Sequence, residues 1–325
     1  MIERKAMPVS SLSRATLSRK LKLGQLMVFE RVLELGSFVR AANETGLTQS
    51  AVSKAIYELE VFFGEELFLR NNRGVQATDF GILLGKRAKS LIAELRYMTE
   101  EVNAFRTGEA GHVIVGTLIS AAAELLPRAI SLLVDSFPSI QITIREGIPP
   151  HLFPALAAGD IDVMVGRLPS GEYGFSKAHP VHHEVLYTES FCLVVGRQNS
   201  LAQCDNLQLS DLLLHQWIFP PKESTSRKSA EAMFSSAGLP VPPFRVESLS
   251  LLSNLGLLVQ TNMVAFMPRA VASQFVRHGL ISVLSFPGSS EFGDVGFSVR
   301  ADKEITPACA HFIRCLRQAV THSEV

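Results

Sequence analysis

Gly36-Ser37-Phe38-Val39-Arg40-Ala41-Ala42-Asn43-Glu44-Thr45-Gly46-Leu47-Thr48-Gln49-Ser50-Ala51-Val52-Ser53-Lys54 is the stretch on which the reading of this chain turns. Gly36 and Gly46 each suit the residue that closes a helix, and Ser37 and Thr48 each stand where a hydroxyl would cap the next one. Between them Phe38, Val39, Ala41 and Ala42 give a short helix an inward face. Beyond Thr48, the apolar Val52, Ile56, Leu59, Phe62 and Phe63 step by three or four, leaving Gln49, Ser50, Ser53, Lys54 and Tyr57 on other faces. Upstream, Leu26, Phe29, Val32 and Leu33 mark a first helix over Leu23 to Leu35. Two helices joined by a turn at Gly46, the second polar at its N-terminal end, make a helix-turn-helix. Such a helix fits a DNA major groove, where Gln49, Ser50, Ser53 and Lys54 would meet base edges or nearby phosphates. A three-helix cluster with a polar outer face also occurs in proteins that never meet DNA, and the pattern alone leaves both readings open.

The residues that follow favour DNA. Leu67 to Arg70 and Asn71 to Thr78 read as two short strands around a turn with Gly74, with Arg70 and Arg73 at their edge: a wing, which grips phosphates. From Phe80 to Phe105 the residues Leu84, Ala88, Leu91, Leu95, Met98, Val102 and Phe105 alternate steps of four and three, the seam of a coiled coil. A partner helix is the expected cover for that seam, with packing on the helix's own domain as the alternative. A dimer would set two recognition helices about one DNA turn apart, or a multiple of it. Gly108 and Gly111 end the helix and open a linker.

Past the linker the pattern changes to α/β. Strands are expected at His112–Gly116, Ile140–Arg145 and Ile161–Val165, with helices at Ala121–Phe137 and His151–Ala158 between them. The alternation continues with Phe191–Val195, a helix at Ser226–Ala237, a strand at Arg245–Glu247, a helix at Ser250–Gln260 and a strand at Val264–Met267. A chain of 325 residues suits a small module plus a two-lobed domain. Lys plus Arg equal Asp plus Glu at 31 each, so any DNA contact must come from a local surface and not from global charge. The four cysteines, Cys192, Cys204, Cys309 and Cys315, have no metal-site spacing and are read as buried thiols in a reducing compartment. The basic stretch Met1 to Lys22 has no apolar core and so is not a secretory signal, while Leu249 to Met267 carries too many polar residues for a bilayer.

Residues Leu26 to Leu83 resemble the DNA-binding domain of LysR-type transcriptional regulators. The resemblance is carried by Gly36-Ser37-Phe38 with Ala41-Ala42, by Leu47 to Lys54 with Leu59-Glu60, by Gly64, Leu67-Phe68 and Arg70, and by Thr78 and Gly81. It extends to about Gln318 and leaves only residues 1–22 outside, a basic arm adding phosphate contacts or a start site placed too early. It implies a multidomain fold: an all-α winged helix-turn-helix domain over 23–80, a long dimerisation helix over 81–108, and an α/β two-lobed effector domain like a periplasmic binding protein over 111–325. Lobe one would be 111–181 with 286–325, and lobe two 182–285. Ser37, Arg40, Arg70, Arg73 and Thr78 would hold phosphates, while Gln49, Ser50, Ser53 and Lys54 would read or position the DNA.

The resemblance also implies an effector between the lobes, met by Thr117 and Ser120 at the first helix of lobe one, although Ser120 also reads as a plain N-cap. Ile148, in the loop Gly147-Ile148-Pro149, stands where many relatives place a hydroxyl and gives the cleft an apolar wall. Arg167 would emerge from a buried strand at the cleft mouth, where a ligand anion or an internal carboxylate must pair with it. In lobe two, Phe219, Ser224, Thr225 and Ser248 fall at cleft positions, with Phe266 in the floor. His182 and His183, at the expected crossover, would make the hinge pH-sensitive. The implied mechanism is linkage: effector closes the cleft, and the change passes to the DNA-binding pairs of a homotetramer, formed from dimers joined by the linker helix, and so to RNA polymerase. The protein would be a cytoplasmic, bacterial regulator, nucleoid-associated when DNA-bound, that is not an enzyme and needs no cofactor or membrane. The expected effector is a small organic or aromatic acid controlling a catabolic or transport operon. The alternatives are a sugar-responsive regulator of the same family and a solute-binding protein without DNA activity, against which the helical module speaks.

Overall fold

The computed structural model of the chain describes residues 17, 20–71, 74–107, 111–169, 180–204, 207–222, 224–285 and 291–321. Most of the basic N-terminal extension and Arg73 lie outside them, as do the side chains of Arg70, Phe105 and Thr225. Two compact units divide between Thr99 and Glu100, inside a single long helix.

The first unit opens with α1 (Leu23–Leu35), α2 (Phe38–Thr45) and α3 (Gln49–Phe63). Both expected caps form. The Ser37 hydroxyl accepts from the Arg40 N–H at 3.3 Å, and the Thr48 hydroxyl accepts from the Ala51 N–H at 3.2 Å. Between α2 and α3 the chain reverses at Gly46 with φ +68°, a conformation that costs a side-chain-bearing residue free energy. Phe29, Val32, Val52, Ile56, Leu59 and Leu67 are almost fully shielded, and Phe68 packs its ring against those of Phe29 and Phe38 at 5.5 and 5.9 Å.

The wing is the antiparallel pair β1 (Phe68–Asn71) and β2 (Gly74–Ala77), one residue shorter at each outer end than expected. Leu67 goes to the core instead, and Thr78 turns its hydroxyl to cap the next helix: it donates to the Glu66 carbonyl at 2.6 Å and accepts from the Gly81 N–H at 2.9 Å. That cap starts α4 at Asp79, and the helix runs unbroken to Thr107. Gly81 is where α4 presses on the chain entering the wing. A methyl group there would lie 2.3 Å from the Leu67 carbonyl oxygen, so Gly81→Ala is expected to cost about 1–3 kcal/mol through forced backbone displacement, read as a lowered midpoint in urea unfolding. Leu84 and Ala88, the first two seam residues, pack into this unit's own core, whereas Leu91, Met98 and Val102 are each more than half exposed. The seam is therefore divided: its start serves the domain, and further along Leu95 is half-buried while Leu91, Met98 and Val102 stand mostly exposed.

In the second unit β3 (Gly111–Thr117) pairs in parallel with β4 (Ile140–Glu146) and β5 (Val163–Arg167). The single helix expected over 121–137 is two pieces, α5 (Ile119–Ala122) and α6 (Leu125–Ser136). Ala121 of α5 joins Leu125, Leu126, Ala129 and Leu133 of α6 in the lobe-one core, while Ile119 and Ala123 pack against a lobe-two cluster with Val271 and Ala272. After α7 (Pro149–Ala158) and β5 comes β6, a strand from Val181 to Gly196 that belongs to both lobes. Its first part, Val181 to Ser190, pairs with β11 (Glu291–Arg300), and from Phe191 it pairs with β9 (Val264–Pro268). The lobes therefore exchange at Ser190/Phe191, not at the expected 181/182, because hydrogen-bond pairing to β11 keeps the first half of the strand in lobe one.

Lobe two is completed by β7 (Trp217–Phe219), α8 (Thr225–Ser236), β8 (Phe244–Glu247), α9 (Leu251–Gln260), α10 (Arg269–Arg277) and β10 (Ile281–Val283). The chain then returns through β11 to α11 (Pro307–Thr321), which packs on α6 in lobe one. Along β6 the side chains alternate between two layers, Leu193 and Val195 facing the Trp217 cluster and Cys192 and Val194 the opposite one.

Candidate functional site

Two surfaces bear on function. On α3, Gln49, Ser50 and Lys54 are exposed and Ser53 is half-buried, while Val52, Ile56 and Leu59 are buried in the core. Lys54 Nζ lies 3.9 Å from Glu58 Oε1, both solvent-facing, a pairing too exposed to hold the lysine against a phosphate. The expected phosphate-holding hydroxyls of Ser37 and Thr78 are engaged as helix caps, so they order the backbone at the ends of the motif. The exposed Arg40 guanidinium donates to the Leu35 carbonyl.

The second surface is the cleft. A cavity of about 460 Å³ opens between the lobes, lined from lobe one by Leu118 to Ser120, Glu146 to Pro149, His151 and Arg167, and from lobe two by Ser224, Ser226, Leu249 and Ser250. Ser120 stands out in the lining: the residue is 1 % exposed and its hydroxyl has no hydrogen-bond partner among the described residues. A buried hydroxyl left without a partner costs about 1–3 kcal/mol, a deficit that a polar ligand group in the cavity would offset. Arg167 leaves the end of β5 half-buried, with Nη1 donating to Ser229 Oγ of lobe two at 3.1 Å, so it reaches across the cleft. Ser224 caps α8, accepting from the Arg227 N–H at 3.1 Å.

Of the cleft residues expected from the sequence, the fold brings Ser120, Ile148, Arg167 and Ser224 to the cavity. Thr117 is fully buried behind it, its hydroxyl donating to the Val165 carbonyl at 3.1 Å. Phe219 is also core, stacked near Trp217 and under the Arg227 guanidinium, and Phe266 packs on Phe191 with ring centres 4.0 Å apart. Ser248 lies outside the lining, accepting from the Ser250 N–H at 3.0 Å. His182 and His183 lie within the β6–β11 ladder, ahead of the strand's exchange, and not in a hinge loop. His183 meets Ser298 Oγ at 2.7 Å, and burial first, then the neighbouring His182, pushes its pKa below the ordinary histidine value. Cys192, Cys309 and Cys315 are buried, but Cys204 is exposed, against the expectation of four inert thiols.

Residues 23–82 match the family model described as bacterial regulatory helix-turn-helix protein, lysR family, and residues 106–321 match the LysR substrate binding domain. The chain belongs to the LysR family of transcriptional regulators. Among its relatives are the HTH-type transcriptional regulator GbpR of Azospirillum brasilense, 28% identical over 93% of this chain and 88% of the relative, and PcaQ of Agrobacterium fabrum, 27% identical over 93% and 96%. The fold is shared with the crystal structure of CbnR in complex with its target DNA, at a TM-score of 0.67 and 20% identity, covering 92% of this chain and 100% of that one. It is shared as well with the effector-binding domain of QuiR in complex with shikimate, at 0.55 and 17%, covering 67% and 100%.

This LysR-family protein is therefore a DNA-binding transcriptional regulator with an effector-binding domain, and its relatives are regulators, not enzymes. No helix among the described residues is long and apolar enough to cross a membrane. Sequence reasoning missed Glu146 and His151 in the cleft lining. Both flank the loop it did single out, and Glu146 ends the β4 strand beside Thr117 of β3, a pairing that only the sheet register reveals.

Proposed function

We propose that this LysR-type regulator answers to a small organic or aromatic acid held between its lobes, and that it thereby controls a catabolic or transport operon. The observation that carries the reading is the unpartnered, buried Ser120 hydroxyl in a cavity that also holds the Arg167 guanidinium. A carboxylate would satisfy both, and Leu118, Ile119, Ile148 and Leu249 would cover an apolar body. Shikimate, bound by the QuiR domain of the same fold, is likewise a carboxylic acid. The exposed seam residues Leu91, Met98 and Val102 support a dimer through α4 in a homotetramer. Gln49, Ser50, Ser53 and Lys54 would face bases, with Arg40, Arg70 and Arg73 on the phosphates and RNA polymerase as the downstream partner.

Two measurements on the purified full chain test this. Capture of fragments from the host's own genomic DNA should recover a few promoters with paired half-sites. Thermal shift against monocarboxylates and neutral sugars should then single out acids, and Arg167→Gln should weaken the responding acid by about tenfold or more while leaving DNA capture intact. A sugar response that Arg167→Gln leaves unchanged would overturn the acid reading.

A further inference from the structure

Tyr57 stands on the outer face of α3 with 58 % of its surface exposed, and its phenol has no hydrogen-bond partner among the described residues. At about 100° per residue, and counting from Gln49, Ser53 falls near 40°, Tyr57 near 80°, Ser50 near 100° and Lys54 near 140°, so the ring sits in the middle of the polar arc. It stands about 12 Å further along the helix axis than Gln49, on the order of the width of a major groove. A helix whose N-terminal turns enter the groove therefore carries Tyr57 to the groove wall, where the sugar-phosphate backbone runs.

Of the two carboxylates on α3, Glu60 is turned away from that wall, and Glu58, part-exposed beside Lys54, is tied at one oxygen. Glu60 Oε1 accepts from the Leu67 N–H at 2.9 Å. Glu58 Oε2 accepts from Gln25 Nε2 at 2.6 Å, and Gln25 is itself only 9 % exposed and fixed by accepting from the Lys22 N–H at 3.1 Å. At about 100° per residue Glu58 falls about 100° round the helix from Tyr57, on the far side of Lys54, so the arc from Gln49 to Lys54 presents donors. A tyrosine hydroxyl is one of the side-chain groups that bond phosphate oxygens, and its ring needs only two torsions fixed to do so.

We propose that Tyr57 is a further DNA-contact residue of this regulator, its phenol donating to a phosphate at the groove wall. The proposal rests on α3 being the element that enters the groove, and the test separates the two. Binding sites are selected from a random-sequence duplex pool with the full-length wild-type chain, and affinities for the winning duplex are compared across variants by fluorescence anisotropy. Tyr57→Phe, which removes one hydroxyl from an exposed site, should weaken binding by about three- to tenfold without changing the selected sequence or the melting temperature. Tyr57→Lys, which restores a donor and adds a charge, should recover wild-type affinity with a salt slope steeper by about one. Wild-type selection of no sequence would remove the groove reading and Tyr57 with it. Selection of a clear site that Tyr57→Phe binds within about twofold of wild type would overturn the Tyr57 assignment alone.

Discussion

Phe29→Ala is expected to unfold the DNA-binding unit while leaving the effector domain folded. Phe29 is completely buried in α1, and its ring contacts Phe68 of the wing strand, which in turn contacts Phe38 of α2. A run of three rings that starts at Phe29 thus links three elements of this core. Removing a buried phenylalanine costs about 3–5 kcal/mol, the lost transfer energy plus the cavity left behind. For a small domain that is a large share of total stability, commonly about 5–15 kcal/mol. Differential scanning calorimetry of the full chain should show one component moving down by ten degrees or more, by the rule of about 4–8 °C per kcal/mol for a domain of this size. Capture of genomic DNA should fail at the same temperature, whereas the acid-induced shift of the effector-domain component should persist. A variant that melts as one unit with the wild type would mean that the helical module does not depend on this core.

The contrast between the two units explains what could be read in advance. The helix-turn-helix was legible because its signals are local: glycine closures, hydroxyl caps and a three-to-four step of apolar residues place α1 to α3 within a residue of where they lie. In the effector domain the strands with long apolar runs, β3, β5 and β9, were equally plain. The first half of β6 was not, because Val181 to Ser190 shows mostly half-buried and exposed residues and is held by β11, more than a hundred residues away. β7 has only Trp217, Ile218 and Phe219, too few residues for a period to show. α11 is different: Ala308, Phe312, Cys315, Leu316 and Ala319 form a helical stripe behind Thr306 and Pro307, and that signal was available. In the cleft, Arg167 could be named from its place at the end of a buried strand, whereas Ser120, inside the short helix after β3, came only through the family resemblance. Which of Phe219, Ser224 and Ser248 faced the cavity depended on register and on Arg227 occupying the space between Phe219 and Phe244, which no spacing encodes.

Glu189→Gln is expected to make the protein more stable above neutral pH and to flatten its pH dependence. Glu189 sits on β6 two residues before the strand exchanges lobes at Phe191, 5 % exposed, with Oε1 accepting from the Ala270 N–H of α10 at 3.0 Å and Oε2 without a partner among the described residues. Burial pushes its carboxyl up to about 7; the Ala270 N–H opposes that shift and the nearby Glu124 adds to it. Tyr187 and Cys192, its neighbours along the strand, are pushed up chiefly by burial as well and bring no compensating charge at neutral pH, and Arg269 turns its Nε to Ser190 Oγ at 3.2 Å. An unfolded glutamate titrates near about 4.3. Between there and about 7 the native state holds a proton that the unfolded chain has lost, so stability is highest at the acid end of that window and falls as pH rises through it. At about 1.4 kcal/mol per pH unit the loss is on the order of 3 kcal/mol by pH 8. Glutamine keeps an acceptor for Ala270 and a second polar atom in place of the unpartnered oxygen, but carries no charge at any pH. Wild type and Glu189→Gln should therefore melt together near pH 5 and separate progressively towards pH 8, with the variant above. Parallel melting curves across that range would show that Glu189 titrates as an ordinary carboxylate, and that the strand joining the lobes carries no buried charge.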